Sequence, residues 1–165
     1  MVNKKKIIIS LSILILAGLL CIKWFWGSAW EEMKKMGCAT NLKVLTTALH
    51  MYARENNNYF PPFDGVKGLK MLRKYLPDSK NNNCVFVCPG KQKPCDIGEE
   101  LSAACIGYDY FGGYSVDSPI GIGIIMDKIG NHKNFGNIGF IDGHVEPFKG
   151  QKWRKYATRG TNKAP

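Results

Sequence analysis

A charge-free apolar run leads directly into an amphipathic helical pattern, and this succession constrains the fold more than any other feature. The run Ile7–Ile22 contains no charged residue, and with Lys23 and the aromatic segment 24–26 it reaches about 20 residues. As an α-helix, that length corresponds to about 30 Å, the thickness of the hydrocarbon core of a bilayer. We therefore predict a transmembrane helix over 7–26, followed by an extramembrane domain.

The charges that flank this run predict its orientation. Lys4, Lys5 and Lys6 precede it, and the positive-inside rule then places the N-terminus in the cytoplasm and the domain outside. We expect a single-pass protein of the inner (cytoplasmic) membrane, in contact with lipid. A cleaved signal peptide is the alternative, but no small-x-small site follows the run. A lipoprotein site at Cys21 is disfavoured by Leu20, which occupies a position where a small residue is needed.

The chain after the anchor is long enough for one small domain. Gly, Pro and Asn are frequent there, which predicts many turns and short strands. The predicted organisation is a basic cytoplasmic start (1–6), a transmembrane helix (7–26), an amphipathic stem (27–58), an extracytoplasmic α+β domain (59–148) and a basic flexible tail (149–165).

The stem is predicted from helical periodicity. One apolar stripe is formed by Leu42, Leu45, Leu49 and Tyr52, whose spacing is that of one helix face. A capping box, Ser28-x-x-Glu31, predicts a new helix start or a kink near residue 28. Three asparagines and two prolines, within 56–62, end the helix, and His50 falls on the polar face, where we expect it to be solvated.

The rest of the domain reads as short elements. A helix is predicted at Val66–Tyr75, and strands at 85–87, Tyr108–Tyr114 and Ile122–Met126. The clearest signal comes last, where Asp142-Gly143 separates two apolar segments as a two-residue hairpin turn with positive φ at both positions. The predicted fold class is α+β: a long N-terminal helix whose outer half packs on a small antiparallel sheet.

The cysteines indicate disulfide bonds, because the predicted location is oxidising. The chain has six cysteines. Five follow the anchor: Cys38, Cys84, Cys88, Cys95 and Cys105. The last four of these cluster in a loop-rich segment between 84 and 105. One or two bridges that staple the loop-rich segment are the expectation. A zinc site formed by the last four is the alternative, although its spacing is irregular and no Cys-x-x-Cys occurs.

The formal net charge of +10 does not indicate nucleic-acid binding once its charges are located. Lys4–Lys6 are topogenic, and the tail after Phe148 carries six basic residues with no acid. A polar, basic terminus of this kind is typical of a solvated tail. We therefore expect no nucleic-acid partner; anionic lipid or cell-wall polymer is the possible contact of the tail.

Several short motifs, in order, resemble those of a known family. The stem carries Cys-Ala-Thr-Asn-Leu-Lys at 38–43 and Tyr-Phe-Pro at 59–61, the middle of the domain has Phe-Val-Cys-Pro at 86–89, and His132 precedes Asp142-Gly143 by nine intervening residues. Over residues from about 30 to 148, the chain resembles prepilin-type, type II secretion pseudopilin-like proteins with a C-terminal H-X9-DG signature. The resemblance implies a pilin-like fold, membrane insertion and a non-enzymatic role among other pilin-like subunits or secretion machinery.

The membrane entry departs from that family's pattern. Prepilins of this kind carry Gly-Phe-Thr-Leu-x-Glu, whereas Lys6 is followed here by Ile-Ile-Ile-Ser-Leu, with no preceding glycine and no acid inside the run. Cleavage by a prepilin peptidase is therefore an open question. A permanently tethered binding protein that does not polymerise remains the alternative function.

Acidic and histidine side chains concentrate in the last third of the chain: Asp117, Asp127, His132, Asp142 and His144. The resemblance implies a possible Ca²⁺ site there, with oxygen ligands from Asp117, Asp127 and Asp142 and the histidines as bystanders. The simpler interpretation is structural. Asp is favoured in a hairpin turn, and His132 would pin that turn through a hydrogen bond, while His144 faces solvent or pairs with Glu146.

Enzymatic function is not predicted. The sequence contains no Gly-x-Ser-x-Gly, no Gly-x4-Gly-Lys-Ser/Thr and no His-Glu-x-x-His. A metal-dependent hydrolase built on the His and Asp residues, or a cysteine nucleophile with His132 or His144, are the enzymatic alternatives.

Overall fold

One long helix and a small sheet form the described part of the chain. The computed structural model describes residues 4–76, 82–90, 101 and 103–150, with the backbone alone for 4–7 and 82–83. Helix α1 is Lys4–Glu55, helix α2 is Gly65–Lys70, and short 3-10 helices cover Arg73–Tyr75 and Asn82–Phe86. The strands are β1 (Tyr108–Tyr110), β2 (Gly123–Asp127), β3 (Phe135–Phe140) and β4 (Val145–Lys149). The fold class is α+β, as the sequence predicts.

Helix α1 continues without interruption through Gly27-Ser28, where the capping box predicts a new start. The predicted new start is wrong because a capping box matters only where backbone N–H groups lack partners, while the predicted kink stays a prediction. Here helical residues precede Ser28, and extending an existing helix is far easier than nucleating a new one. The membrane-length segment and the stem therefore belong to one helix.

The end of α1 is made by asparagine conformation. The helix ends at Glu55, and Asn57 and Asn58 both adopt left-handed backbone angles, with φ of 52° and 65°. Asn58 N–H donates to the carbonyl of Ala53, which satisfies one of the carbonyls left open at the helix end. Asparagine tolerates this conformation better than other non-glycine residues, so the asparagine run terminates the helix before the prolines are reached.

The sheet is a four-stranded antiparallel meander in the order β1-β2-β3-β4. Strand β3 lies between β2 and β4, and every one of its residues is buried. Strand β1 is shorter than the predicted Tyr108–Tyr114, and the predicted strand at 85–87 is wrong, since most of it belongs to a 3-10 helix. A three-residue apolar run fits either element, and the local turn at Cys84–Val87 decides it through a backbone hydrogen bond.

The β3–β4 hairpin forms where the sequence predicts it, with a different turn. Phe140 N–H donates to the His144 carbonyl, and Gly143 N–H donates to the Phe140 carbonyl. The loop therefore has three residues, and of Asp142 and Gly143 only Gly143 has positive φ, at 82°. This pattern is that of a tight turn closed by a glycine in the left-handed region, the usual three-residue hairpin.

The predicted apolar stripe of the stem forms the centre of the domain core. Leu42, Leu45 and Leu49 are fully buried and Tyr52 is 8 % exposed. The helix approaches β3 closely at Gly139, where an added Cβ would lie 2.7 Å from Thr46 Cγ2. These contacts bring the stem onto a sheet strand remote in sequence, and residues 34–55 belong to the same compact unit as the sheet.

The first part of α1 has the opposite character. The chain divides into two compact units at Met33 and Lys34, and in the first unit the aliphatic side chains of positions 8–22 are 56–66 % exposed. Within the described residues, α1 is the one helix long and apolar enough to cross a membrane. An exposed apolar surface of this extent is unfavourable in water and favourable in lipid.

Candidate functional site: a buried cysteine, histidine and aspartate cluster

A disulfide bond joins the stem helix to the loop that follows the second 3-10 helix. Cys38 on α1 and Cys88 are bonded, with Cα atoms 5.5 Å apart and a sequence separation of 50. Both residues are fully buried. The sequence predicts one or two bridges that staple the loop-rich segment, and the bridge from Cys88 ties that segment to the stem.

Glycines allow the Cys88-Pro89-Gly90 loop to lie against its neighbours. A Cβ on Gly37 of the stem would lie 2.9 Å from the Pro89 ring, and one on Gly107 would lie 2.5 Å from the Cys88 nitrogen. A third, on Gly90, would lie 2.8 Å from His132 Cε1. Three positions around the cluster thus have no room for a side chain.

The stem holds the same loop through its backbone. The Asn41 side-chain amide donates to the carbonyl of Val87 at 3.0 Å. Asn41 lies one helical turn after Cys38, so both side chains reach the same loop. The Cys-Ala-Thr-Asn segment of the stem therefore acts as a docking surface for residues 87–90.

His132 completes the contact from the side of the sheet. Its Nε2 lies 3.2 Å from Cys38 Sγ and 3.3 Å from Cys88 Sγ, and its ring packs edge-on against Phe135 at the start of β3. The side chain of His132 has no solvent exposure. The Lys35 ammonium lies over the ring of Phe135, 5.0 Å from its centroid.

Asp127, at the end of β2, is the fourth member of the cluster. Its Oδ2 lies 3.9 Å from His132 Nε2 and accepts two hydrogen bonds from Asn137, one from the backbone N–H and one from the side-chain amide. Burial raises the pKa of Asp127 to about 7, and the two hydrogen bonds from Asn137 oppose this shift. Its Oδ1 is buried without a hydrogen-bond partner.

Asn137 also ties the cluster to the stem. Its side-chain amide donates to the Lys35 carbonyl at 3.2 Å as well as to the Asp127 carboxylate at 2.9 Å. Since α1, β2, β3 and the Cys88 loop each contribute a group, the cluster connects the stem, two strands and the loop.

The fold explains the spacing of nine residues between His132 and Asp142-Gly143. His132 lies just before β3 and Gly143 just after it, so the nine intervening residues contain this six-residue strand, about 20 Å long. At one end His132 contacts Cys38 of the stem, and at the other the Gly143 carbonyl accepts from the Lys43 ammonium at 2.8 Å and from the Thr46 hydroxyl at 3.3 Å. The two ends of the motif are two docking points of β3 on α1.

The predicted pairing of His132 with the turn is corrected. The Asp142 carboxylate accepts a hydrogen bond from the backbone N–H of His144 and another from the His144 ring. These contacts lower the pKa of Asp142, with the backbone hydrogen bond the largest cause. His144 stacks on Phe140 and lies 3.7 Å from Glu146, so the turn is held by its own neighbours.

The other predicted site residues are placed separately. Asp117 is exposed, Asp127 is in the core and Asp142 is at the hairpin turn, so a calcium site shared by these three stays a prediction. Cys84 is exposed and carries a free thiol, Cys105 is disulfide-bonded, and Cys95 lies outside the described residues, as does the basic tail beyond Gly150.

The interpretation of His50 as a solvated residue is only partly correct, because the residue is half-buried. Its ring packs edge-on against Phe60, and Nε2 is buried without a hydrogen-bond partner beside Gly143. The helical pattern places it on the polar face, but the hairpin turn covers that face at this point.

Sequence reasoning names each cluster residue without grouping them. Three of the four, Cys38, Cys88 and His132, lie in the short motifs at 38–43, 86–89 and 132–143, which is a signal that could have grouped them, whereas Asp127 lies in none of these motifs. No protein-family model, no curated protein and no solved structure matches this chain.

Proposed function

We propose that this chain is a non-enzymatic pilin-like membrane protein, a subunit or accessory of a type II secretion or type IV pilus-like assembly. The observation that carries the proposal is the single helix Lys4–Glu55. Its first part exposes apolar side chains over a membrane-spanning length, and its last part is the central core element of a small α+β domain.

A continuous helix suits assembly better than a flexible tether does. Anchors that pack side by side gain from van der Waals contact along their length. The exposed segment includes Ala17 and Gly18, small residues that let helix backbones approach closely. The segment therefore offers a surface for contact with copies or related subunits.

The rigid attachment of the stem supports the same role. A disulfide, two side-chain hydrogen bonds to the Gly143 carbonyl and one to the Val87 carbonyl fix α1 to the sheet and loop. In a filament, force applied to the domain passes to the anchor through such contacts. We also propose that the domain lies outside the cytoplasm, because disulfide bonds persist in an oxidising environment.

A permanently tethered binding protein is the second candidate. Prepilins carry a glycine before the apolar run and an acidic residue within it. Neither is present at the membrane entry of this chain, which favours the tether. Under this alternative the anchor holds one domain at the membrane and no contact between copies is required.

Anchor packing can be tested by disulfide cross-linking in native membranes. In a Cys21→Ser, Cys84→Ser background, single cysteines at 17, 18, 19 and 20 sample all faces of the helix, because successive residues are about 100° apart. After mild oxidation, assembly predicts covalent dimers from one or two of these positions. Dimers from none of the four, or equally from all of them, would contradict specific anchor packing.

The intact mass of the wild-type protein from the same membranes separates the two candidates further. A chain shortened near Lys6–Ile7 with a methylated N-terminus places it in the pilin pathway. A full-length chain that sediments as a single copy after gentle solubilisation favours the tether.

A further inference from the structure

The buried cluster has the composition of a metal centre. The sulfur atoms of Cys38 and Cys88, a carboxylate oxygen of Asp127 and a ring nitrogen of His132 all lie within 4.8 Å of one another. All four residues are buried. Within the described ranges, no other three histidine, cysteine, aspartate or glutamate side chains converge in this way.

A disulfide alone does not account for the other two side chains. A bonded sulfur is only a weak hydrogen-bond acceptor, and it offers nothing to a carboxylate. The Oδ1 atom of Asp127 nevertheless lies in the interior with no hydrogen-bond partner. Leaving a buried polar atom unsatisfied is unfavourable, and such exceptions in a folded protein point to a missing ion or to a functional group.

We propose that the thiol form of this cluster binds one zinc ion through Cys38, Cys88, His132 and Asp127. Two sulfur, one nitrogen and one oxygen ligand make a four-coordinate set that suits zinc and disfavours calcium or magnesium. The two distances from His132 Nε2 to sulfur, 3.2 and 3.3 Å, are close to the roughly 3.5 Å between nitrogen and sulfur ligands of tetrahedral zinc.

Neighbouring groups are placed to support such ligands. Gly90 N–H points at Cys88 Sγ from 3.3 Å, a contact that stabilises a thiolate. Asn137 holds Oδ2 of Asp127 with two hydrogen bonds, which fixes the carboxylate while Oδ1 stays available. These contacts are the outer-shell interactions that orient metal ligands in proteins.

The same residues then give two covalent states. A dithiol reductant transfers two electrons and two protons to the Cys38–Cys88 bond, giving two thiols and the oxidised reductant. Zinc binding displaces the two thiol protons to water, because the ligands are thiolates. An oxidant reverses the sequence and releases the ion. This inference concerns the domain alone and does not depend on whether the chain polymerises.

Cobalt provides a direct test, since tetrahedral thiolate-bound Co²⁺ is coloured. The full-length protein in detergent is reduced with a phosphine and titrated with Co²⁺ under nitrogen, and then with Zn²⁺. We expect one Co²⁺ per chain, a thiolate-to-cobalt charge-transfer band of the intensity of two thiolates, and full displacement by one Zn²⁺. The oxidised protein should bind neither ion at this site.

Variants separate this site from the remaining cysteines. Cys84→Ser/Cys95→Ser/Cys105→Ser should keep the spectrum, Cys88→Ser should lose at least half of the charge-transfer band, and Asp127→Asn should bind at least about tenfold more weakly. Circular dichroism of the reduced, metal-free proteins shows whether each variant is folded. Absence of a cobalt spectrum in the folded, reduced wild type would overturn the proposal. So would a spectrum unchanged by Cys88→Ser, or a charge-transfer band that corresponds to one thiolate.

Discussion

The two ends of β3 dock on the same helix in opposite ways. At the His132 end, the contact is fully buried, and the imidazole packs against the Cys38–Cys88 bond that joins the stem to the Cys88 loop. At the Gly143 end, it is polar and partly exposed, since the exposed Lys43 side chain and the buried Thr46 hydroxyl donate to one carbonyl.

The difference between the His132 end and the Gly143 end indicates how stability is distributed along the stem. Burial and a covalent bond do not depend on salt, whereas a partly exposed ammonium-to-carbonyl contact is screened and contributes less. The cysteine end should therefore open last and should respond to redox conditions, and the turn end should open first. Four experiments test this contrast between the two ends.

The largest effect is expected from removal of the disulfide. Cys38→Ala/Cys88→Ala, under oxidising conditions with a chelator present, should lower the free energy of unfolding by about 4 kcal/mol, the loop-closure value for 50 residues. Urea unfolding of the full-length protein in detergent measures it. Cys84→Ser, which removes a free and exposed thiol, is the matched control and should change little. Equal stabilities of the two variants would contradict the covalent role of the cysteine end.

The next effect concerns the crossing of α1 over β3. Gly139→Ala would place a methyl group 2.7 Å from Thr46 Cγ2 and 2.8 Å from Ile125 Cγ2, so the helix must shift away from the strand. We expect a loss of roughly 1–3 kcal/mol by overpacking. Gly121→Ala, which meets nothing within 4 Å, is the control and should stay within about 0.5 kcal/mol of wild type. The same chemical denaturation experiment decides it.

A smaller effect is expected at the turn end. Thr46→Val keeps the shape of the side chain and removes its hydroxyl contacts with the Gly143 and Lys43 carbonyls. Because Lys43 still donates to Gly143, the loss should be about 0.5–1.5 kcal/mol. Thr47→Val is matched in chemistry but removes only an exposed bond to the Lys43 carbonyl. If Thr47→Val costs as much as Thr46→Val, the docking of the turn on the stem is not the cause.

The smallest effect is a pH dependence of the hairpin. The pKa of Asp142 is lowered in the folded protein, so its contribution to stability is present above the ordinary aspartate pKa and is lost as pH falls through the lowered value. Asp142→Asn should remove this part of the slope below about pH 4. Since the side chain is 40 % exposed, we expect less than about 1 kcal/mol. Unfolding at pH 2–5 gives the slopes, and identical slopes for variant and wild type would exclude the effect.

Local patterns predict the elements that local physics determines. The apolar run, the stripe at Leu42, Leu45 and Leu49 and the hairpin around Asp142-Gly143 were all readable, because helix periodicity and turn chemistry act over a few residues. The strand at 85–87 and the helix start at Ser28 were not, since a three-residue run and a capping box each fit two conformations. The local turn at Cys84–Val87 decides the first case, and the helical residues that precede Ser28 decide the second.

The partners of Cys38 lay beyond such patterns. Its bond to Cys88 spans 50 residues and its contact with His132 spans 94, and nothing local fixes which of the several cysteines meet. Asp127 is likewise one acidic residue among several in the sequence. Only its enclosure by β2, β3 and the stem makes it a buried carboxylate.

Residue patterns over short stretches were enough to predict a membrane-length apolar helix, an amphipathic stem, an α+β class and a hairpin around Asp142-Gly143, because hydrophobic periodicity and backbone preference are properties of neighbouring residues. Three-dimensional packing alone placed one cysteine from the helix, one from a loop, a histidine and an aspartate in a single buried site. Burial of the apolar stripe of α1 against the sheet brings these groups together, and that burial exists only in the complete fold.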